Sequence, residues 1–168
     1  MTNKLCDARQ DVRGFRNALG AFGTGVAVVT ATQGGQCLGM TINSFTSVSL
    51  QPPLVLWSVG KGAANYTQFL EAERFAIHIL GAGQQSVSDR FSQSGGDKFV
   101  DVSWEYDQSG VPRLLGCLAR FECRREVSYP GGDHEIIIGA VDRFESLAGS
   151  PLLFVQGRYL DIGACKNG

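Results

Sequence analysis

Apolar residues at Val12, Phe15, Leu19 and Phe22 recur every three or four positions, which predicts an amphipathic helix over residues 9–21, ended by the glycines at 23–25. Beyond those glycines the period falls to two. Residues 26–32 read as a short strand, Gly34-Gly35 as a hairpin turn and 37–42 as the returning strand. Residues 54–59 are too apolar to leave one face in water. Asn65 stands as the N-cap of a short helix carrying Phe69, Leu70 and Ala72, and 74–80 (RFAIHIL) forms another strand. A short helix is expected over 84–91, followed by the loop SQSGGDK. Between 116 and 129 the alternation is clean. Cys117, Ala119, Phe121, Cys123 and Val127 face one way and Arg120, Glu122, Arg124 and Glu126 the other, as on a strand with one wet face. A turn at 130–133 leads to a partner strand over 134–147, and 152–155 with the nearby Tyr159 supplies the last strand. No β-α-β alternation appears. The pattern therefore predicts a mainly β chain, a closed antiparallel barrel with short helices at its ends.

Composition narrows the function classes. A chain of 168 residues suits one domain and buries roughly 70% of its unfolded surface. With 43% hydrophobic and 18% charged residues it is globular and leaves room for a subunit interface. A net charge of -1 without a basic stripe argues against nucleic acid. The opening segment MTNKLCDARQDVRGF has no signal-peptide core, and the longest apolar runs, 25–29 and 54–57, are far too short to span a bilayer. A soluble, cytoplasmic protein without membrane contact is expected. The five cysteines (Cys6, Cys37, Cys117, Cys123, Cys165) show no C-x-x-C pair and no neighbouring histidine, so reduced thiols and no metal site are expected. Cys117 and Cys123, on one face of the alternating strand, read as core filler.

The chemistry is read first by exclusion. Neither G-x-S-x-G nor a Walker loop is present, and the glycines at 20, 23 and 25 follow a helix where a Rossmann turn needs a strand. The segment 39–59, GMTINSFTSVSLQPPLVLWSV, is more telling. A strand breaks into small hydroxyl and amide residues, turns at Pro52-Pro53 and returns apolar. As a plain connection it is a Ser/Thr-rich turn. As a site, it offers short donors and backbone N–H groups along the edge of a flat heteroaromatic ring such as a flavin. Lys61 is an ordinary loop lysine or a phosphate ligand helped by Asn65. Arg90 is likewise either an ordinary exposed side chain or a contact for phosphate or ribityl oxygens, while Phe91 caps the core. His134, in the turn Gly131-Gly132-Asp133-His134, is either solvated or placed at the barrel mouth against a nicotinamide.

GMTINSFTSVSLQPPLVL, RFAIHIL, GVPRLLGCLARFEC and GGDHEIIIGAV, in that order and spacing, resemble the flavin reductase-like family with an FMN-binding split barrel. The resemblance runs from about Phe15 to Tyr159 and implies one split-barrel domain over 1–168, its core at about 12–163. It implies an NAD(P)H:flavin oxidoreductase that uses FMN or FAD with NADH or NADPH, works as a homodimer and supplies reduced flavin to a partner monooxygenase. A flavin-binding carrier without reductase activity is the alternative. Carried over by position, Met40, Thr41, Ile42, Asn43, Ser44, Ser47 and Val48 would line the ring and ribityl chain, and Ser58, Val59, Gly60 and Lys61 the ribityl and phosphate. Asn65 is the remaining side-chain donor to phosphate, because Ala63 stands where relatives carry a hydroxyl. Arg90 and Phe91 would flank the other end of the flavin. Asp133 and His134 would meet NAD(P)H, with His134 the catalytic-site contact and Tyr159 covering the nicotinamide.

Overall fold

The structure, a computed structural model, describes residues 5–161. Helix α1 (Val12–Leu19) opens the chain, its first turn closed by Asp11, whose Oδ1 accepts the Gly14 N–H at 2.8 Å. Then come β1 (Thr24–Gly25), β2 (Ala27–Gln33), β3 (Gln36–Ile42), β4 (Thr46–Leu50) and β5 (Pro53–Gly60). Gly34 and Gly35, with φ of +58° and +77°, make the two-residue turn between β2 and β3. Helix α2 (Tyr66–Glu71) and β6 (Arg74–Ile79) follow, then a 3-10 turn over Ala82–Gln84 and α3 (Gln85–Ser92). A small hairpin, β7 (Trp104–Tyr106) and β8 (Pro112–Leu114), precedes the long one, β9 (Ala119–Gly131) and β10 (His134–Ser146). The chain closes with β11 (Leu152–Val155) and β12 (Arg158–Asp161).

Seven strands make one antiparallel sheet in the order β3-β2-β6-β9-β10-β5-β4, while β1, β11 and β12 form a second sheet. The large sheet curls far enough for Leu38 and Ile42 of β3 to share one interior cluster with Val55, Trp57 and Val59 of β5. It does not close. Among the described residues no ladder joins β3 to β4, so the barrel is split, as the family resemblance implied and unlike the closed barrel that the pattern of strands alone suggested. Just after β3 ends, Ser44 accepts the Ser58 N–H at 3.0 Å and so ties the chain to β5.

Both faces of the central strands are covered. Ala27, Val29, Phe75, Ile77 and Cys123 point into the barrel, and Val26, Val28, Leu80 and Leu114 belong to an outer layer with α3 and the β7–β8 hairpin. This explains why residues 26–31 are buried at every position. It also corrects the expected wet face of β9. Glu122 is 8% exposed and pairs with Arg120 at 2.9 Å and Arg143 at 2.6 Å, because the β7–β8 hairpin lies over that face. Two register shifts in the β9–β10 pair break the alternation further. Cys117 precedes β9 and joins the outer layer while Cys123 lies inside the barrel; both are buried thiols, but not on one face.

His78, which the sequence singles out for nothing, staples the two layers. Its Nε2 accepts the Leu114 N–H at 3.1 Å, so Nδ1 carries the proton and donates to the Val28 carbonyl at 3.1 Å. Thr30 adds a 2.6 Å bond to the Pro112 carbonyl. Burial, against the opposing hydrogen bond to the Val28 carbonyl and aided by the Arg120 and Arg113 charges, pushes the imidazole pKa down to about 3. The folded state holds His78 neutral while the unfolded chain protonates near 6.5, so its contribution is whole above pH 6.5 and drains away as pH falls toward 3. Urea titrations across pH 7.5 to 4 are expected to show stability falling with one extra proton taken up on unfolding. His78→Phe removes that proton from the slope and costs roughly 2–4 kcal/mol at pH 7.5, since two buried backbone groups lose their partner.

Candidate functional site

A cleft of about 730 Å³ opens beside β3, between that strand, residues 63–65 and the segment 92–99. Its end wall depends on Gly39. The Phe91 ring fills the space a side chain would need, so a Cβ at Gly39 would collide with its Cε1. Phe91 is fully buried and meets Phe99 edge-on at 5.1 Å. Lys98 ties the segment down, donating to the Gly39 carbonyl at 3.1 Å and the Phe91 carbonyl at 3.2 Å. Its ammonium is half-buried, and lost hydration pulls its pKa below that of a free lysine. Across the cleft, Asn65 caps α2 by position only: its side chain makes no capping bond and stays available. Met40 and Thr41 line the cleft from β3, with the Thr41 hydroxyl donating to the Ser88 carbonyl at 2.6 Å.

The expected site residues fall into groups. Met40, Thr41, Asn65 and Phe91 come together in the cleft. Ser58, Gly60, Lys61, Asp133 and His134 gather at the rim, where β5 pairs with β10 and His134 sits opposite Gly60. There Lys61 Nζ donates to the Gly132 carbonyl at 2.7 Å and its N–H to the Asp133 carbonyl at 2.9 Å. His134 Nδ1 lies 2.7 Å from Asp133 Oδ1, and that hydrogen bond holds the Asp133 carboxyl below its ordinary pKa. The bond leaves Nε2 over Gly60, where a Cβ would stand 3.6 Å from it. Ile42 and Val59 bury their side chains in the barrel and have only backbone to offer. Asn43, Ser47 and Val48 are exposed, the last two beside the register shift in β4. Arg90 faces Asp101 at 3.5 Å. Tyr159 stands apart from the rim group, its hydroxyl sharing a 2.8 Å hydrogen bond with the buried Ser88.

Lys98 and the 92–99 wall were missed by the sequence reading. The only signal is a lysine after two glycines in a polar loop, which any surface loop can show. The charged side chains lining the cleft are Asp97 and Lys98, and Asp97 turns its Oδ1 to the Phe99 N–H at 2.9 Å. Among the described residues no three His, Cys, Asp or Glu side chains gather to hold a metal. The cleft combines apolar side chains (Leu38, Met40, Phe69, Phe91), the approachable backbone of Gly95 and Gly96, the amides of Gln36, Asn65 and Gln93, one carboxylate and one cation. These fit a planar heteroaromatic ring with an anionic tail, as in a flavin nucleotide. If the Phe91 packing shapes the wall, Gly39→Ala is expected to destabilise the fold by roughly 1–3 kcal/mol in denaturant titrations, with the Phe91 ring displaced.

Residues 19–163 match the family model described as the flavin reductase like domain. The FMN reductase (NADH) SmoA of Agrobacterium fabrum is 52% identical over 150 residues, covering 89% of this chain and 86% of SmoA. HsaB of Rhodococcus jostii, the reductase subunit of a flavin-dependent monooxygenase, is 36% identical over 94% of this chain and 81% of its own. The solved NADH:FAD oxidoreductase SgcE6 of Streptomyces globisporus, in complex with NAD and FAD fragments, superposes with a TM-score of 0.91 at 38% identity, covering 98% of this chain and 100% of that one. Two longer curated relatives are matched over about half of their own length. The split antiparallel barrel and the match over nearly its whole length make this chain a member of the flavin reductase-like family.

Proposed function

We propose that the protein is an NADH-dependent flavin reductase that hands reduced FMN or FAD to a flavin-dependent monooxygenase. The observation that carries this reading is the pairing of a nucleotide-sized cleft beside β3 with an exposed, hydrogen-bonded histidine on the adjoining rim. Relatives described as an NADH-dependent FMN reductase and a monooxygenase reductase subunit support the hydride donor and the partner.

In this reading the flavin, when bound, supplies the redox chemistry by accepting a hydride from the nicotinamide. The chain contributes position. The backbone at Met40, Thr41, Ile42, Asn43 and Ser44 runs along the ring edge, continued by Ser47 and Val48. Ser58, Val59 and Gly60 flank the ribityl chain, with Asn65, Arg90 and Phe91 toward the nucleotide end. Lys61 anchors the tip of the β9–β10 turn through the Gly132 carbonyl, so the imidazole beyond it has a fixed base. Asp133 accepts the His134 Nδ1–H, which leaves Nε2 to receive the nicotinamide carboxamide. Tyr159 covers the nicotinamide side indirectly, by holding α3 through Ser88.

Two further parts of the reading concern assembly and place. Val12, Phe15, Leu19 and Phe22 on and after α1 are between 49% and 80% exposed, and none of the helix is buried. A two-turn helix does not pay its own nucleation in water, so this stripe is read as a homodimer contact. An NADH-consuming reductase belongs in the cytoplasm, in keeping with the thiols of Cys37, Cys117 and Cys123.

The direct test is anaerobic mixing of the purified protein with NADH and FMN or FAD. Flavin-stimulated NADH loss is expected; tight yellow colour without turnover would favour a carrier, and no flavin effect at all removes the reading. His134→Ala is expected to raise the KM for NADH by roughly tenfold, well beyond any change for flavin. Phe15→Asp with Leu19→Asp is expected to turn a dimer into a folded monomer in sedimentation velocity.

A further inference from the structure

The sequence offers Lys61 as the phosphate ligand, yet its ammonium is committed to the Gly132 carbonyl at 2.7 Å and it does not line the cleft. A cation that does line the cleft is Lys98. Two of its three N–H donors are fixed on the Gly39 and Phe91 carbonyls, which orients the ammonium and leaves one donor over. Among the described residues no carboxylate lies within ion-pair distance of it, and the neighbouring Asp97 accepts the Phe99 N–H on Oδ1. The charge is partly stripped of water, so an anion brought beside it meets less screening than at a surface lysine. The adjoining wall is backbone: Gly95 and Gly96 hold φ of +78° and +70° with nothing within 4 Å of either Cβ position, so a ligand can approach their peptides closely. Opposite stands the uncommitted Asn65 amide.

From this arrangement we infer that Lys98 is the phosphate-binding residue of the cleft, receiving the phosphate of the flavin nucleotide between the 92–99 wall and Asn65. The inference rests on the flavin reading above and adds to it a determinant of FMN and FAD over riboflavin. The other source of the same chemistry is the pyrophosphate of NADH, which the experiment separates.

FMN and riboflavin are titrated by flavin fluorescence into the full chain and into Lys98→Gln and Lys98→Arg, and the KM for NADH is measured for each. Lys98→Gln is expected to weaken FMN by roughly tenfold or more relative to riboflavin, the scale of a lost hydrogen bond to a charged group. Lys98→Arg is expected to keep the preference, and the KM for NADH to stay unchanged with Lys98→Gln. Equal losses for FMN and riboflavin mean that Lys98 only holds the wall and overturn the assignment, as does no loss for either. A raised KM for NADH with an unchanged FMN-to-riboflavin ratio gives the residue to the dinucleotide and overturns it too. Lys61→Ala, run in parallel, overturns it if the ratio collapses there instead. Failure of the wild-type chain to bind any flavin is a different result, and it removes the flavin reading itself.

Discussion

The structure depends on a sheet that is dry on both sides yet carries polar groups across its middle. β2, β6 and β9 bury one set of side chains in the barrel and the other under the β7–β8 hairpin and α3. On that second side Thr30, His78 and Glu122 are all under 9% exposed, and each needs a partner in a place water does not reach. Leu114 and Pro112 of the hairpin partner His78 and Thr30, which fixes where the hairpin lies, while Arg120 of β9 and Arg143 of β10 pair with Glu122. A hydrophobic lid would seal the same area. It would not fix the hairpin's register as these directional bonds do.

The register set there reaches the cleft through aromatic rings. Phe91, Phe99, Trp104 and Tyr106 follow one another at centroid spacings of 5.0 to 5.1 Å, from α3 to the hairpin. Phe91 is at once the end of this row and the wall over Gly39. The hairpin, held by His78 and Thr30, therefore decides where the 92–99 segment sits and where the Lys98 ammonium lies. Packing of this density has discrete solutions, and a shift at one end of the row is felt at the other.

Most strands were legible because their burial follows the period. Val55, Trp57 and Val59 of β5 are buried and Leu54 and Leu56 half-buried, in keeping with a strand too apolar to leave a face in water, and the Gly34-Gly35 turn announces itself. The second layer was not legible. Arg120 and Glu122 read as solvated because the pattern records polarity and cannot record that a hairpin 104–114 returns to cover them. The split in the barrel was legible through the family resemblance and not through the periodicity, which marks strands without recording that β3 and β4 do not pair. At the site, the β3 residues and the 131–134 turn were legible through their unusual composition. Lys98 was not, because its two carbonyl partners, Gly39 and Phe91, lie 59 and 7 positions away and only the fold brings them together.

The division between rim and cleft has a mechanical logic. His134 and Gly60 are register partners in a ladder that continues from Gly60 through Leu54, so the imidazole is placed by rigid strands. Hydride transfer falls off steeply when reacting atoms are misaligned, and under the proposed function, in which His134 meets the nicotinamide, that rigidity is an advantage. The nucleotide end makes a looser demand. A phosphate accepts donors from many directions, so a glycine-bearing loop pinned by one lysine suffices there. A flavin that must arrive oxidised and leave reduced needs its ring held accurately and its tail held moderately. On the proposed assignment, a rim on strands and a tail site on the 92–99 loop satisfy both demands within one small barrel.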